Sequence, residues 1–311
     1  VARCVTEQVI SDVSPSPRYA IVLAAIGTAM LMWASGFVIV RYIRPYYGAG
    51  EVVLARFGGA ALLLAPLIAR QRPALPSRRD GAAIVVVGLT WFGLNNFMLN
   101  AGEKLIDAGT AAMLANVAPV FVAIVAALAL REKLGRPLIA GLIVAFAGAI
   151  VIGWSSGHHS GGLGGAALCF FSAVPYTIAV VVQKPLLKRV SALALTWGGF
   201  VVCTLVFLPF APDLMHELGR APAKDTVLLV FAVIGPTAVA FTMWAFALTH
   251  SSLAAQTVST YLIPVLAVLI GWIALAEAPT SLVLLGGVLC LAGVAIAQRG
   301  QGAASVDRGA R

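Results

Sequence analysis

Apolar residues run in long blocks along nearly the whole chain, and polar residues collect in short gaps between them. The blocks fall at about 19–40, 51–69, 81–100, 109–130, 137–154, 163–183, 192–210, 226–248, 253–275 and 281–298. Each is long enough to cross a hydrocarbon layer of ~30 Å as a helix. None alternates apolar with polar residues as the strands of a membrane barrel do. A bilayer tolerates only helices or closed barrels, so the pattern predicts an all-α membrane protein with ten transmembrane helices. The gaps hold Pro, Gly and charge, as at Arg70-Gln71-Arg72-Pro73 and Leu134-Gly135-Arg136-Pro137. Residues 1–18 lack the apolar centre of a signal peptide and read as a flexible tail, and residues 299–311 as a disordered one.

Composition removes the soluble alternatives. Of 311 residues, 60% are hydrophobic and 11% charged, against ~25% charged in an ordinary soluble domain. The net charge of +9 records where Lys and Arg stand relative to the bilayer, because no basic tract interleaved with aromatics suggests nucleic acid. Ten spans put both termini on one side. Of the 21 Lys and Arg, 15 then fall on that side and 5 on the other, with Arg56 inside the second span. By the positive-inside rule both termini are expected to be cytoplasmic. Cys169, Cys203 and Cys290 lie within apolar blocks and are expected to be free thiols.

The second half repeats the first. At an offset of 145, Pro119 falls on Pro264, Glu132 on Glu277, Gly141 on Gly286 and Gly148 on Gly293. The repeats are residues 19–154 and 163–298. A unit of five spans must start the second copy on the opposite face, so the repeats are inverted. Secondary transporters are often built this way, with substrate bound between the repeats near the midplane. Gly141, Ala145 and Gly148, matched by Gly286, Cys290 and Gly293, give the fifth and tenth spans a small-residue face suited to close helix packing.

A chain of this length, duplicated five plus five, resembles the drug/metabolite transporter superfamily, in particular its EamA-type branch. The resemblance is carried by Arg131-Glu132-Lys133-Leu134 closing the fourth span, by Asn116 with Pro119 and Tyr261 with Pro264, and by Trp33-Ala34-Ser35-Gly36-Phe37 in the first span. It covers about residues 20–298. It implies a basket of helices around a central cavity and export of small solutes, most like bacterial exporters of amino acids, including aromatic ones. Multidrug export is the alternative within the same fold.

Polar groups in a membrane core are costly and face a cavity or another helix. With these spans the midplane lies near Met30, Thr90, Pro119, Ala173, Pro236 and Pro264. Candidate substrate contacts near those levels are Asn116, Tyr261, Trp33, Trp91, Asn95, Tyr176, Trp244, Thr257 and Ser259. Aromatic faces stack on apolar ligands and attract ammonium groups. Asn95 and Asn96 are adjacent and cannot share one face, so one is expected to line the cavity and the other to bond a neighbouring helix. Pro119, Pro175, Pro236 and Pro264 are expected hinges, and Glu132 and Glu277 gate or helix-end contacts. Arg56 is expected to snorkel outward or pair with Glu51, with a substrate carboxylate as a third partner.

No acid is expected at mid-membrane depth, which points to transport driven largely by the substrate's own gradient or to coupling through another group. His158 and His159 stand in a loop without a third ligand, so no metal and no cofactor is expected. The four His lie in loops or at span ends, away from any embedded Ser or acid, which argues against an enzyme. The expected partners are a small-molecule substrate and the lipid bilayer, with a monomer as the working unit.

Overall fold

Three helices among the described residues start at a side-chain cap. Ser77 accepts the Asp80 N–H at 3.1 Å, Asp107 the Thr110 N–H at 2.8 Å, and Ser191 the Ala194 N–H at 3.3 Å. The computed structural model describes residues 17–73, 76–129, 136–156, 162–250, 259–276 and 278–309. All regular elements among these residues are helical.

The first half contains α1 (Pro17–Ile43), α2 (Ala49–Gln71), α3 (Arg78–Val87), a π segment (Gly88–Asn95), α4 (Asn96–Glu103), α5 (Ala108–Ala115), α6 (Ala118–Ala129) and α7 (Arg136–Ser156). The second contains α8 (Gly162–Phe171), α9 (Ala173–Leu186), α10 (Ala192–Phe207), a 3₁₀ turn (Leu208–Phe210) and α11 (Ala211–Arg220). It continues with α12 (Ala223–Ala232), a second π segment (Val233–Val239), α13 (Ala240–His250), α14 (Leu262–Leu275) and α15 (Ser281–Gly309). Among the described residues, six helices are long and apolar enough to cross a membrane, and four shorter apolar ones accompany them.

The 145-residue offset recurs in the element bounds. It carries Arg78–Val87 onto Ala223–Ala232, and it matches the starts of the two π segments and of α7 and α15. Packing follows the same rule: α2 lies on the second π segment and α10 on the first. The most extensive contact joins α7 to α15. A Cβ on Gly148 would lie 2.6 Å from the Gly286 carbonyl oxygen, and one on Gly293 would lie 2.5 Å from that of Gly141. Cys290 Sγ reaches the Ala145 carbonyl at 3.4 Å. Contact numbers that rise along α7 fall along α15, so these equivalent helices run antiparallel.

Two expectations are corrected. Helix α15 continues to Gly309 through the segment read as disordered, since extending a formed helix fixes one residue per new hydrogen bond and avoids a second nucleation. Glu103, read from the sequence as a loop residue beyond the third span, is instead the last residue of α4 and only 3% exposed. Arg41, in the last turn of α1, donates to the carbonyls of Glu103 and Lys104 at 3.1 and 3.2 Å and draws that end into the bundle.

Candidate functional site

The middle of the bundle is built from interrupted helices. In a π turn a carbonyl loses its usual partner, and here a side chain replaces it in each half. Asn96 Nδ2 donates to the Trp91 carbonyl at 2.9 Å, and Thr237 Oγ1 to that of Ala232 at 2.8 Å. Helices α5 and α6 are separated at Asn116-Val117, α8 and α9 at Ser172, and α14 starts after Tyr261. Pro119, Pro175 and Pro264 stand in the first turns after these breaks, where no backbone donor is required, and Pro236 lies within the second π segment.

Between the π segments the aromatic candidates meet. Phe241 is the hub: its ring lies 5.3 Å from Trp33 and 5.4 Å from Trp91, both edge-on. Trp33 in turn lies 5.1 Å from Trp244, and Trp91 lies 5.4 Å from Tyr176. Four of the residues selected from the sequence thus form one chain of rings contributed by both halves. Phe57, Phe92 and Phe200 extend it. A groove of about 250 Å³ between the end of α2, the start of α10 and α13 has Phe241 in its wall.

The polar candidates are not gathered there. Asn116 is buried and its Nδ2 donates to the Ala112 carbonyl at 3.0 Å, within its own helix. Tyr261 stands at the N-terminus of α14 and packs on a separate apolar cluster with Ile106, Met113 and Leu114. Ser259 is half-buried just before it. Asn95 Nδ2 donates to the Ser172 carbonyl at 2.9 Å, tying the first π segment to the break between α8 and α9. Asn95 and Asn96 thus each spend their amide nitrogen on a backbone carbonyl, Asn95 across to another helix and Asn96 within its own. Thr257, Glu132 and Glu277, with His158 and His159, lie outside the described residues.

Arg56 departs from expectation. It is buried and neither snorkels nor pairs with Glu51, because one helical turn places it beside the second π segment. Its Nε donates to Thr237 Oγ1 at 3.1 Å, and its guanidinium lies 5.6 Å from the Phe57 ring centre. The carboxylate of Glu103 is within electrostatic range of Arg56 and of Arg41. The sequence pointed to Arg56 as the lone cation inside a span. Phe241, one turn before Trp244, and Thr237, next to Pro236, carried similar signals that span reading passed over.

In the first turn of α3, Asp80 accepts from Ser77 Oγ and receives Arg189 Nε and Nη2 at 2.9 and 2.7 Å. This pair links the first half to the second outside the apolar layer.

Comparison with known proteins agrees with this construction. Residues 20–154 and 163–298 each match the EamA-like transporter family. A relative in Streptantibioticus cattleyicolor, described as a probable terminal-alkyne amino-acid exporter, is 34% identical over 286 residues, covering 88% of this chain and 92% of its own. The uncharacterized transporter YdfC of Bacillus subtilis is 30% identical over 269 residues, covering 85% and 86%. An uncharacterized transporter of Archaeoglobus fulgidus is 29% identical over 267 residues, covering 86% and 95%. A crystal structure with 20% identity superposes with a TM-score of 0.56 over 91% of this chain and 98% of that one, which concerns the fold alone. With two family matches spanning most of its length and helix bounds repeating between them, this chain belongs to the EamA-like transporter family.

Proposed function

We propose that the chain is a secondary transporter of the bacterial inner membrane. It exports amino acids or related small neutral or zwitterionic metabolites by alternating access. Ten helices cross the bilayer as two inverted five-helix repeats, both termini are cytoplasmic, and one copy forms the whole path. The antiparallel packing of α7 on α15 supports the inversion. The 34% identical relative named as a probable amino-acid exporter supports the substrate class.

The observation that carries the reading is the aromatic chain from Trp244 through Trp33, Phe241 and Trp91 to Tyr176, shared by the two repeats and flanked by their π segments. A surface drawn from both repeats changes shape when one repeat rocks against the other. Its rings offer stacking to an apolar side chain and attraction to an ammonium group. The same rings favour the second reading, export of flat toxic organic compounds, which needs stacking alone.

Uptake into proteoliposomes of the purified chain, from a panel of labelled amino acids with an aromatic toxin as competitor, tests the assignment. Saturable transport of at least one amino acid is expected, and its absence together with transport of the toxin favours the drug carrier. Asn116→Ala and Tyr261→Phe place substrate at the α5/α6 and α14 breaks if they lower transport of folded protein. Native rates in both move the site to the aromatic chain.

A further inference from the structure

Three groups near the outer end of the bundle have hydrogen-bonding capacity that the protein does not use. Glu103 and Asn100 are 3% and 2% exposed and stand three residues apart on α4, which puts them on one face. Glu103 Oε2 is buried without a donor, and Asn100 Nδ2 is buried without an acceptor. Neighbours on one helix, they leave each other unanswered. Arg56, held through Nε by Thr237, keeps two amino groups for a further acceptor among the described residues. Leaving such groups empty is costly in a low-dielectric interior, and native proteins fill them with water, an ion or a ligand.

What would complete the set is defined by its chemistry. It must donate to a carboxylate and accept from an amide and a guanidinium. A phosphate brings acceptors only, and a simple amine brings donors only. The head group of an α-amino acid brings both, in opposite charges, a few ångströms apart. We propose that Arg56, Asn100 and Glu103 form a head-group subsite for α-amino acids, with Glu103 receiving the ammonium and Arg56 with Asn100 the carboxylate. The inference rests on the amino-acid reading above and deepens it. The tail has a direction too: the Arg56 guanidinium lies 5.6 Å from the Phe57 ring, and Phe57 lies 6.4 Å from Phe241, the hub of the aromatic chain.

The test is calorimetric binding to the purified full chain in detergent, with no gradient present, using L-phenylalanine, phenethylamine (no carboxylate) and 3-phenylpropionate (no ammonium). The native chain is expected to prefer phenylalanine to each analogue at least about tenfold, because unpaired polar groups in a site penalise a ligand that leaves them empty. Glu103→Gln should weaken phenylalanine binding about tenfold or more and erase the preference over phenylpropionate, while the preference over phenethylamine persists. Arg56→Gln should give the reverse pattern. If either charge variant aggregates, Asn100→Ser carries the test through a reduced preference over phenethylamine.

Native-like preferences in all folded variants overturn the subsite and leave a water molecule as the occupant. Failure of the native chain to bind phenylalanine also overturns it. Saturable amino-acid uptake in the proteoliposome panel would then spare the broader reading, and its absence would remove both.

Discussion

The α7/α15 interface and the aromatic centre lie in one bundle and are built on opposite plans. At the interface two unbroken helices meet backbone to backbone through Gly141, Gly148, Gly286 and Gly293, with no room for a Cβ. At the centre both crossings are interrupted by π segments, and large rings fill the space between them. Close backbone contact has one good arrangement, whereas rings and broken helices have several of similar energy. The first plan suits a fixed scaffold and the second suits a part that rearranges.

Substitutions can break this contrast. The largest effect is expected at the scaffold: Gly148→Leu places a side chain 2.6 Å from the Gly286 carbonyl and 2.7 Å from the Cys290 nitrogen. It should cost about 3 kcal/mol or more, read as loss of monodisperse protein and a lower melting temperature. Next comes Thr237→Val, which keeps the shape but removes the hydroxyl shared by Ala232 and Arg56. About 1–3 kcal/mol of stability should go with it, because the Arg56 Nε–H loses its acceptor inside the bundle.

Trp33→Leu, at a half-buried ring, should raise the half-saturation concentration about tenfold in proteoliposomes, equivalent to about 1.4 kcal/mol, with the folded yield retained. A scaffold-like loss of folding there would erase the distinction between the two regions. The smallest effect belongs to Asp80→Asn. Arg189 is half exposed in that ion pair, so the melting temperature should fall by the equivalent of at most about 1 kcal/mol, and less in high salt.

Legibility in the sequence divides along the same line. The small-residue face of α7 and α15 was readable because spacings of three and four are local to a helix and need no knowledge of the partner. Depth counting placed Trp33, Trp91, Tyr176 and Trp244 at one level, and the structure brings their rings together. What escaped depends on tertiary contact. Gly88–Asn95 has no proline to announce a π segment. The partner of Arg56 is 181 residues away. Glu103, in Gly102-Glu103-Lys104, reads as loop until Arg41 on α1 draws its carbonyl inward. Asn116 and one of Asn95 and Asn96 looked like solute contacts, but all three donate their amide nitrogens to backbone carbonyls that sequence spacing does not reveal.

The most direct test of the central claim follows tryptophan fluorescence of the purified chain during titration with the best amino acid from the uptake panel. A saturable change should accompany native binding and vanish from a folded Trp33→Phe, Trp91→Phe double variant. A full-amplitude change in that variant, at unchanged affinity, would place the substrate away from the rings and contradict the account.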